Sequence, residues 1–150
     1  MSYHLAQVNV ARLVAPLDDP RLEGFVTRLA CINALAETSP GFVWRLKDDA
    51  GNDATSIKAF PDPMILVNMS VWESVEALRE FTYKSGHAEP LRMRRDWFEK
   101  YPGPSVAMWW VPAGHTPTIQ EARERLESLE ANGPSASAFT FARPYLPPDA

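Results

Sequence analysis

Residues Met64 to Trp72 alternate more cleanly than any other stretch, and this alternation limits what the chain can fold into. Ile65, Val67, Met69 and Val71 fall on one side of an extended segment; Leu66, Asn68, Ser70 and Trp72 fall on the other. A period of two is the signature of a strand. Tyr3 to Leu13 repeats it, with His4, Ala6, Val8 and Val10 opposing Leu5, Gln7, Asn9 and Ala11. Phe42 to Leu46 and Ser105 to Val111 read as further strands, and Thr55 to Phe60 as a short extra one before Pro61-Asp62-Pro63.

Helices fill the intervals. Asp18-Asp19-Pro20 marks a start, Leu22, Phe25, Val26, Leu29, Ile32 and Leu35 or Ala36 recur at helical spacing, and Ser39-Pro40-Gly41 is the stop. Ser74 suits the N-cap of a helix carrying Val75, Leu78 and Phe81. After the break at Gly86-His87, a second helical piece is expected from Glu89 to Lys100, with Leu91, Trp97 and Phe98. Thr118-Ile119-Gln120-Glu121 has capping-box form and opens a charged helix ending at Asn132-Gly133. Residues 134–150, rich in Pro, Ser and Ala, are expected to wrap the surface as an extended tail. The order is βαββαβ with an additional C-terminal helix. It favours an α+β, ferredoxin-like antiparallel sheet whose first and third strands are central, in a single domain over 1–150.

With helices packed on one side, the other sheet face needs a cover. The side carrying Leu5, Gln7 and Asn9 with Leu66, Asn68, Ser70 and Trp72 holds amides, a hydroxyl and apolar groups, and no charge. An exposed antiparallel face would carry Lys, Glu or Arg there, whereas uncharged polar groups suit a half-buried cavity. The expectation is that this is the helix-free face and that a second copy of the chain covers it in a homodimer. A folded-back tail is the alternative cover.

Several segments then show a resemblance. His4-Leu5-Ala6-Gln7-Val8-Asn9, Ser39-Pro40-Gly41-Phe42-Val43-Trp44-Arg45-Leu46, Asn68-Met69-Ser70-Val71-Trp72-Glu73-Ser74, His87 and Trp109-Trp110-Val111-Pro112-Ala113-Gly114 resemble the motifs of the domain of unknown function 3291 family. That family is placed with the dimeric α+β barrels, among them the antibiotic-biosynthesis monooxygenases and their quinol-type relatives. The resemblance implies a ferredoxin-like subunit whose sheets meet in a homodimer. It implies no activity, because one fold hosts many functions.

His87, at the Gly-marked break, is the candidate catalytic group: imidazole exchanges a proton near neutral pH, although a histidine also caps helix ends. Gln7, Asn9, Asn68 and Ser70 are candidates to orient a ligand's oxygens, or else form a mutual network that fixes the sheet register. Trp44, Trp72 and Trp109 are candidate walls for a flat aromatic ligand, or else core. Adjacent Trp109 and Trp110 must face opposite ways. Arg45, a charge within a strand, needs a partner or a ligand. Arg92, Arg94 and Arg95 read as a solvated helix face beside Asp96 and Glu99. His4 and His115 read as structural, and Cys31 as a packed small residue.

Composition limits the partners. A net charge of −4 gives no electrostatic reason to expect nucleic acid or an anionic membrane, and no apolar run approaches the ~20 residues of a membrane span. The single cysteine and the N-terminus Met1-Ser2-Tyr3-His4-Leu5, which lacks the regions of a secretory signal, point to the cytoplasm. No HxH, HExxH or CxxC spacing and no Gly-rich phosphate loop is present, so neither a protein-ligated metal nor a nucleotide cofactor is expected. Haem needs only one axial histidine. Asn9 and His87 resemble, with a different spacing, the asparagine–histidine pair of haem-degrading relatives. The leading expectation is a cofactor-independent monooxygenase-like enzyme acting on an aromatic or quinol-type substrate. The alternatives are a non-catalytic binder of a hydrophobic or aromatic metabolite and, last, a haem-binding protein.

Overall fold

The computed structural model describes residues 2–16, 18–47, 62, 64–84, 97–99 and 103–148. Strand β1 (Tyr3–Leu13) leads through a 3-10 turn, Pro20–Leu22, into α1 (Glu23–Glu37) and β2 (Phe42–Arg45). β3 (Ile65–Trp72) and α2 (Val75–Lys84) follow, then β4 (Phe98–Glu99), β5 (Val106–Pro112) and α3 (Ile119–Asn132).

Local chemistry sets most of these boundaries. The Asp19 carboxylate accepts a hydrogen bond from the Arg21 N–H at 2.9 Å, capping the turn that Pro20 begins. α1 ends where the Thr38 and Ser39 hydroxyls donate back to the Leu35 carbonyl. Gly41 then turns the chain with φ +84°, and a Cβ there would lie 2.5 Å from that of Ala77. Only glycine both adopts that angle and lets β2 begin so close to α2. The hydroxyls of Ser74 and Thr118 cap α2 and α3 through the N–H groups of Ala77 and Glu121.

Among the described residues the sheet has five strands, all antiparallel to their neighbours. β1 is central, paired on one side with β3 and on the other with β5 and the short β4. β2 lies outside β3 at the edge. The ferredoxin-like order with central first and third strands is therefore what the chain adopts. β4 differs from expectation, since Phe98 and Glu99 were assigned to a helix. Their ladder with Leu13 and Arg12, the Arg12–Glu99 ion pair and the Val14 N–H bond to the Trp97 carbonyl hold them extended instead. The expected strand Thr55 to Phe60 and the helical stretch before Trp97 lie outside the described residues.

Each sheet face has its own apolar layer. Ala6, Val8, Val10, Val67, Met69, Val71, Trp109 and Val111 pack against Ala122, Leu126 and Leu129 of α3. The opposite face packs Leu5, Trp72 and Met108 against Ala36 of α1 and Val75 and Leu78 of α2. The face bearing Gln7, Asn9, Asn68 and Ser70 is thus the one beneath α1 and α2. The expectation that it is helix-free is corrected. Both faces carry enough apolar groups to accept helices, so strand composition does not tell them apart.

The tail does more than wrap the surface. Phe139 exchanges backbone hydrogen bonds with Met108 at 2.8 and 2.9 Å, and Ala138 and Phe139 are fully buried. The Trp110 indole donates to the Tyr145 carbonyl at 2.9 Å, and Arg79 lies over the Phe141 ring. Cys31 is exposed rather than packed, because the buried stripe of α1 passes through Leu22, Asn33 and Ala36. Phe139→Ala is expected to destabilise the protein by about 3–5 kcal/mol in urea unfolding. A tail lying only on the surface would give an effect within about 0.5 kcal/mol.

Candidate functional site

The β1–β3 register sets Gln7 opposite Ser70 and Asn9 opposite Asn68, so four uncharged polar side chains meet on one patch. Gln7 Nε2 donates to Ser70 Oγ at 2.7 Å and to Asn68 Oδ1 at 3.1 Å, and its Oε1 accepts from Asn9 Nδ2 at 3.2 Å. The Trp72 indole donates to the same Ser70 Oγ at 2.8 Å. Ser70 Oγ therefore uses both acceptor sites, and its own proton has no acceptor among the described residues.

Burial grades across the patch. Gln7 is 5% exposed and Ser70 7%, whereas Asn9 and Asn68 are exposed although they lie on the two central strands under the helix layer. Along β1 the apolar cluster of Leu5 lies on one side of them and that of Leu13, Leu66, Leu22 and Trp97 on the other. The helices thus seal both ends of this face and leave the amides open between them. Trp72 lies buried behind one side of the patch, 1% exposed, edge-on to Phe42 at 5.5 Å and stacked on Phe81 at 5.2 Å. The mutual network fixes the register and also leaves Asn9 Oδ1 and Asn68 Nδ2 at the opening, and the buried Ser70 proton behind them, without a partner among the described residues. Chemically it is a preorganised set of neutral donors and acceptors backed by buried aromatic packing.

Two more residues flank the patch, Asn33, which the sequence did not single out, and Arg45, which it marked as needing a partner or a ligand. Asn33, 9% exposed, sits in the buried stripe of α1 and makes no side-chain hydrogen bond among the described residues. Its signal was an amide, a poor helix former, at a stripe position in an otherwise apolar helix. Arg45 is the cross-strand partner of Ser70, because a bulge after Phe42 returns it to the amide face. Its Nε lies 3.2 Å from Glu37 Oε2, at an angle that makes an ion pair but no hydrogen bond. Lys47 contacts the same Glu37 oxygen at 3.2 Å. The Lys47 contact foremost, and then the Arg45 charge, hold the Glu37 carboxyl below the ordinary glutamate range.

Not every sequence candidate joins this patch. Trp44 and Trp109 face the α3 side, with Trp44 half-buried and Trp109 1% exposed. Trp110 faces the α2 side, as adjacent strand residues require. The Trp109 indole donates to Glu121 Oε2 at 2.8 Å, and His115 Nε2 lies 2.9 Å from Glu121 Oε1. Burial works to raise the Glu121 pKa, but these contacts and the Thr118 backbone outweigh it, leaving the carboxyl below its ordinary value. His4 lies on the α3 face with Nδ1 buried and unpartnered among the described residues. His87 and the arginines at 92, 94 and 95 lie outside the described residues. A separate recess of about 340 Å³ at the start of α1 is lined by Asp18, Asp19, Pro20, Glu23, Val26 and Thr27. It shares no residue with the amide patch. Among the described residues no helix is long and apolar enough to cross a membrane.

Ser70→Ala removes the acceptor of two buried N–H donors. It is expected to destabilise the protein by about 2–3 kcal/mol and to alter Trp72 fluorescence. Unchanged denaturation and emission would mean that the network does not hold Trp72.

The family model described as Domain of unknown function (DUF3291) matches residues 4–150, and the chain belongs to that family. No curated protein matches it. Among solved structures, NE2512, a protein of unknown function from Nitrosomonas europaea, is similar at 14% identity and TM-score 0.51, over 77% of this chain and 96% of that one. SnoaB, a cofactor-independent oxygenase from Streptomyces nogalater, is similar at 17% identity and TM-score 0.47, over 77% of this chain and 97% of that one. PA3566 from Pseudomonas aeruginosa is similar at 14% identity and TM-score 0.48, over 74% of this chain and 94% of that one.

Proposed function

We propose that this member of the Domain of unknown function (DUF3291) family binds a small aromatic molecule over the amide patch and oxidises it with O₂, without a cofactor. The observation that carries the reading is the exposure of Asn9 and Asn68 on central strands beneath the helix layer. A polar opening of that kind in a helix-covered face suits a ligand better than packing does. Trp72, packed on Phe42 and Phe81, holds Ser70 through its indole N–H and so keeps the floor of the patch in place.

In this reading Asn9, Asn68 and Ser70 hold the substrate's oxygens, and His87 removes the phenolic proton. The electron-rich phenolate then reduces O₂ directly. For a phenol with a free para position, phenol and O₂ become a quinone and water; one oxygen atom enters the ring and the other leaves as water. An oxygen electrode with 1-naphthol, whose para position is free, should record uptake matched by quinone absorbance. His87→Ala should slow it by about 10² or more. An equal rate in the variant would remove His87 from the mechanism. No uptake, with a bound phenol recovered unchanged, would leave a metabolite-binding protein. That second reading is favoured by one feature: no ionisable side chain hydrogen-bonds to the amide patch among the described residues.

A homodimer belongs to the same proposal. Its support is the exposed apolar side chains of α1 and of the β2 bulge, Val26 at 46%, Leu35 at 37% and Val43 at 40%. Apolar residues on both sides of a helix favour a second covering layer. Sedimentation velocity at micromolar concentration should give twice the 16.8 kDa chain mass, and a monomer at that concentration would refute the pairing.

A further inference from the structure

The side chain of Arg45 is only 12% exposed, yet none of its guanidinium N–H groups makes a hydrogen bond among the described residues. A buried Nε–H without a hydrogen-bond partner is costly, and such groups ordinarily find one. That Nε is sealed from solvent and faces Glu37 without a hydrogen bond. Among the described residues the anion in contact is Glu37, which is shared with Lys47, so the cluster of Arg45, Lys47 and Glu37 carries one net positive charge.

Placement connects this charge to the amide patch. Arg45 is the cross-strand neighbour of Ser70 on the same face, and the Ser70 proton has no acceptor among the described residues. Asn33 lies one helical turn before Glu37 on α1, so its amide, with no side-chain hydrogen bond among the described residues, is placed near the same corner. A guanidinium fork, a hydroxyl proton and an amide are the donor set that binds a carboxylate.

We propose that Arg45 is the anion-binding group of this site, so that the aromatic ligand is an acid whose carboxylate seats on the guanidinium fork and the Ser70 hydroxyl. The assignment rests on the reading of the amide patch as a ligand site and adds the charge of its ligand. Glu37 acts as the resident counter-charge, which holds Arg45 in place when the site is empty and competes with an incoming carboxylate.

Calorimetric titration with 2-naphthoate and with 2-naphthamide, alike in shape and different in charge, tests it. The naphthoate is expected to bind at least about tenfold more tightly. Arg45→Met should lower naphthoate affinity to that of the amide and leave the amide unmoved. Glu37→Gln, which keeps the shape and removes the competing charge, should tighten naphthoate binding alone. Equal affinity for the two ligands in the unmodified protein would overturn the role of Arg45 while leaving the ligand site standing. So would a Glu37→Gln variant with an unchanged ratio, because the ion pair would then be only a tether between α1 and β2. Failure of both ligands to bind at millimolar concentration would overturn the ligand site and the role of Arg45 together.

Discussion

The antiparallel ladder between β1 and β3 runs through eight facing pairs, from Leu5 and Trp72 to Arg12 and Ile65, and everything else in the molecule is arranged on it. Because side chains alternate along a strand, a slip of one residue would move every group to the other face. Met69 and Val71 would leave α3, and Trp72 would leave Phe42 and Phe81. Gln7 would lose Ser70. The apolar layers on both faces therefore lock one register, and that register assembles the polar patch. The hydrogen bonds of Gln7 contribute to the same choice, since a buried amide without its partners would cost about 1–3 kcal/mol.

The patch is set by a balance between apolar burial and polar satisfaction. Apolar clusters seal the two ends of the α1 and α2 face, and the amides between them stay partly wet. An ionised side chain in the middle would lose more hydration than neutral partners return, so neutral amides and a hydroxyl occupy the floor. Charge enters only at the flank, where Arg45 stands beside the last turn of α1. There the helix dipole favours cations and disfavours Glu37, and the two cations facing that carboxylate offset the mismatch.

Much of this was legible along the chain. The period of two in Tyr3–Leu13 and Ile65–Trp72, the caps at Asp19, Ser74 and Thr118, and the turn at Gly41 are local features, and the structure keeps each of them. Gln7, Asn9, Asn68 and Ser70 were recognisable as one set because alternation puts them on the same sides of two strands. Three matters were not legible. Phe98 and Glu99 look helical in sequence and became a strand, because pairing with Leu13 and Arg12 outweighs local preference. Phe139 sits in a Pro- and Ser-rich tail whose composition hides a buried aromatic. Trp44 and Trp109 look like natural companions of Trp72, but they face α3.

Alternation, capping and turn chemistry act within a few residues, so the strands, the helix starts and the uncharged character of one strand side follow from the chain alone. Which helices cover that side does not. It depends on how α1, α2 and α3 cross the sheet, and both faces are apolar enough to receive any of them. The meeting of Arg45 with Ser70 depends likewise on a bulge in β2, and that of Arg45 with Glu37 on the docking of α1 beside β2. These are contacts between distant segments, decided by the total burial of two layers, and only the folded chain brings them together.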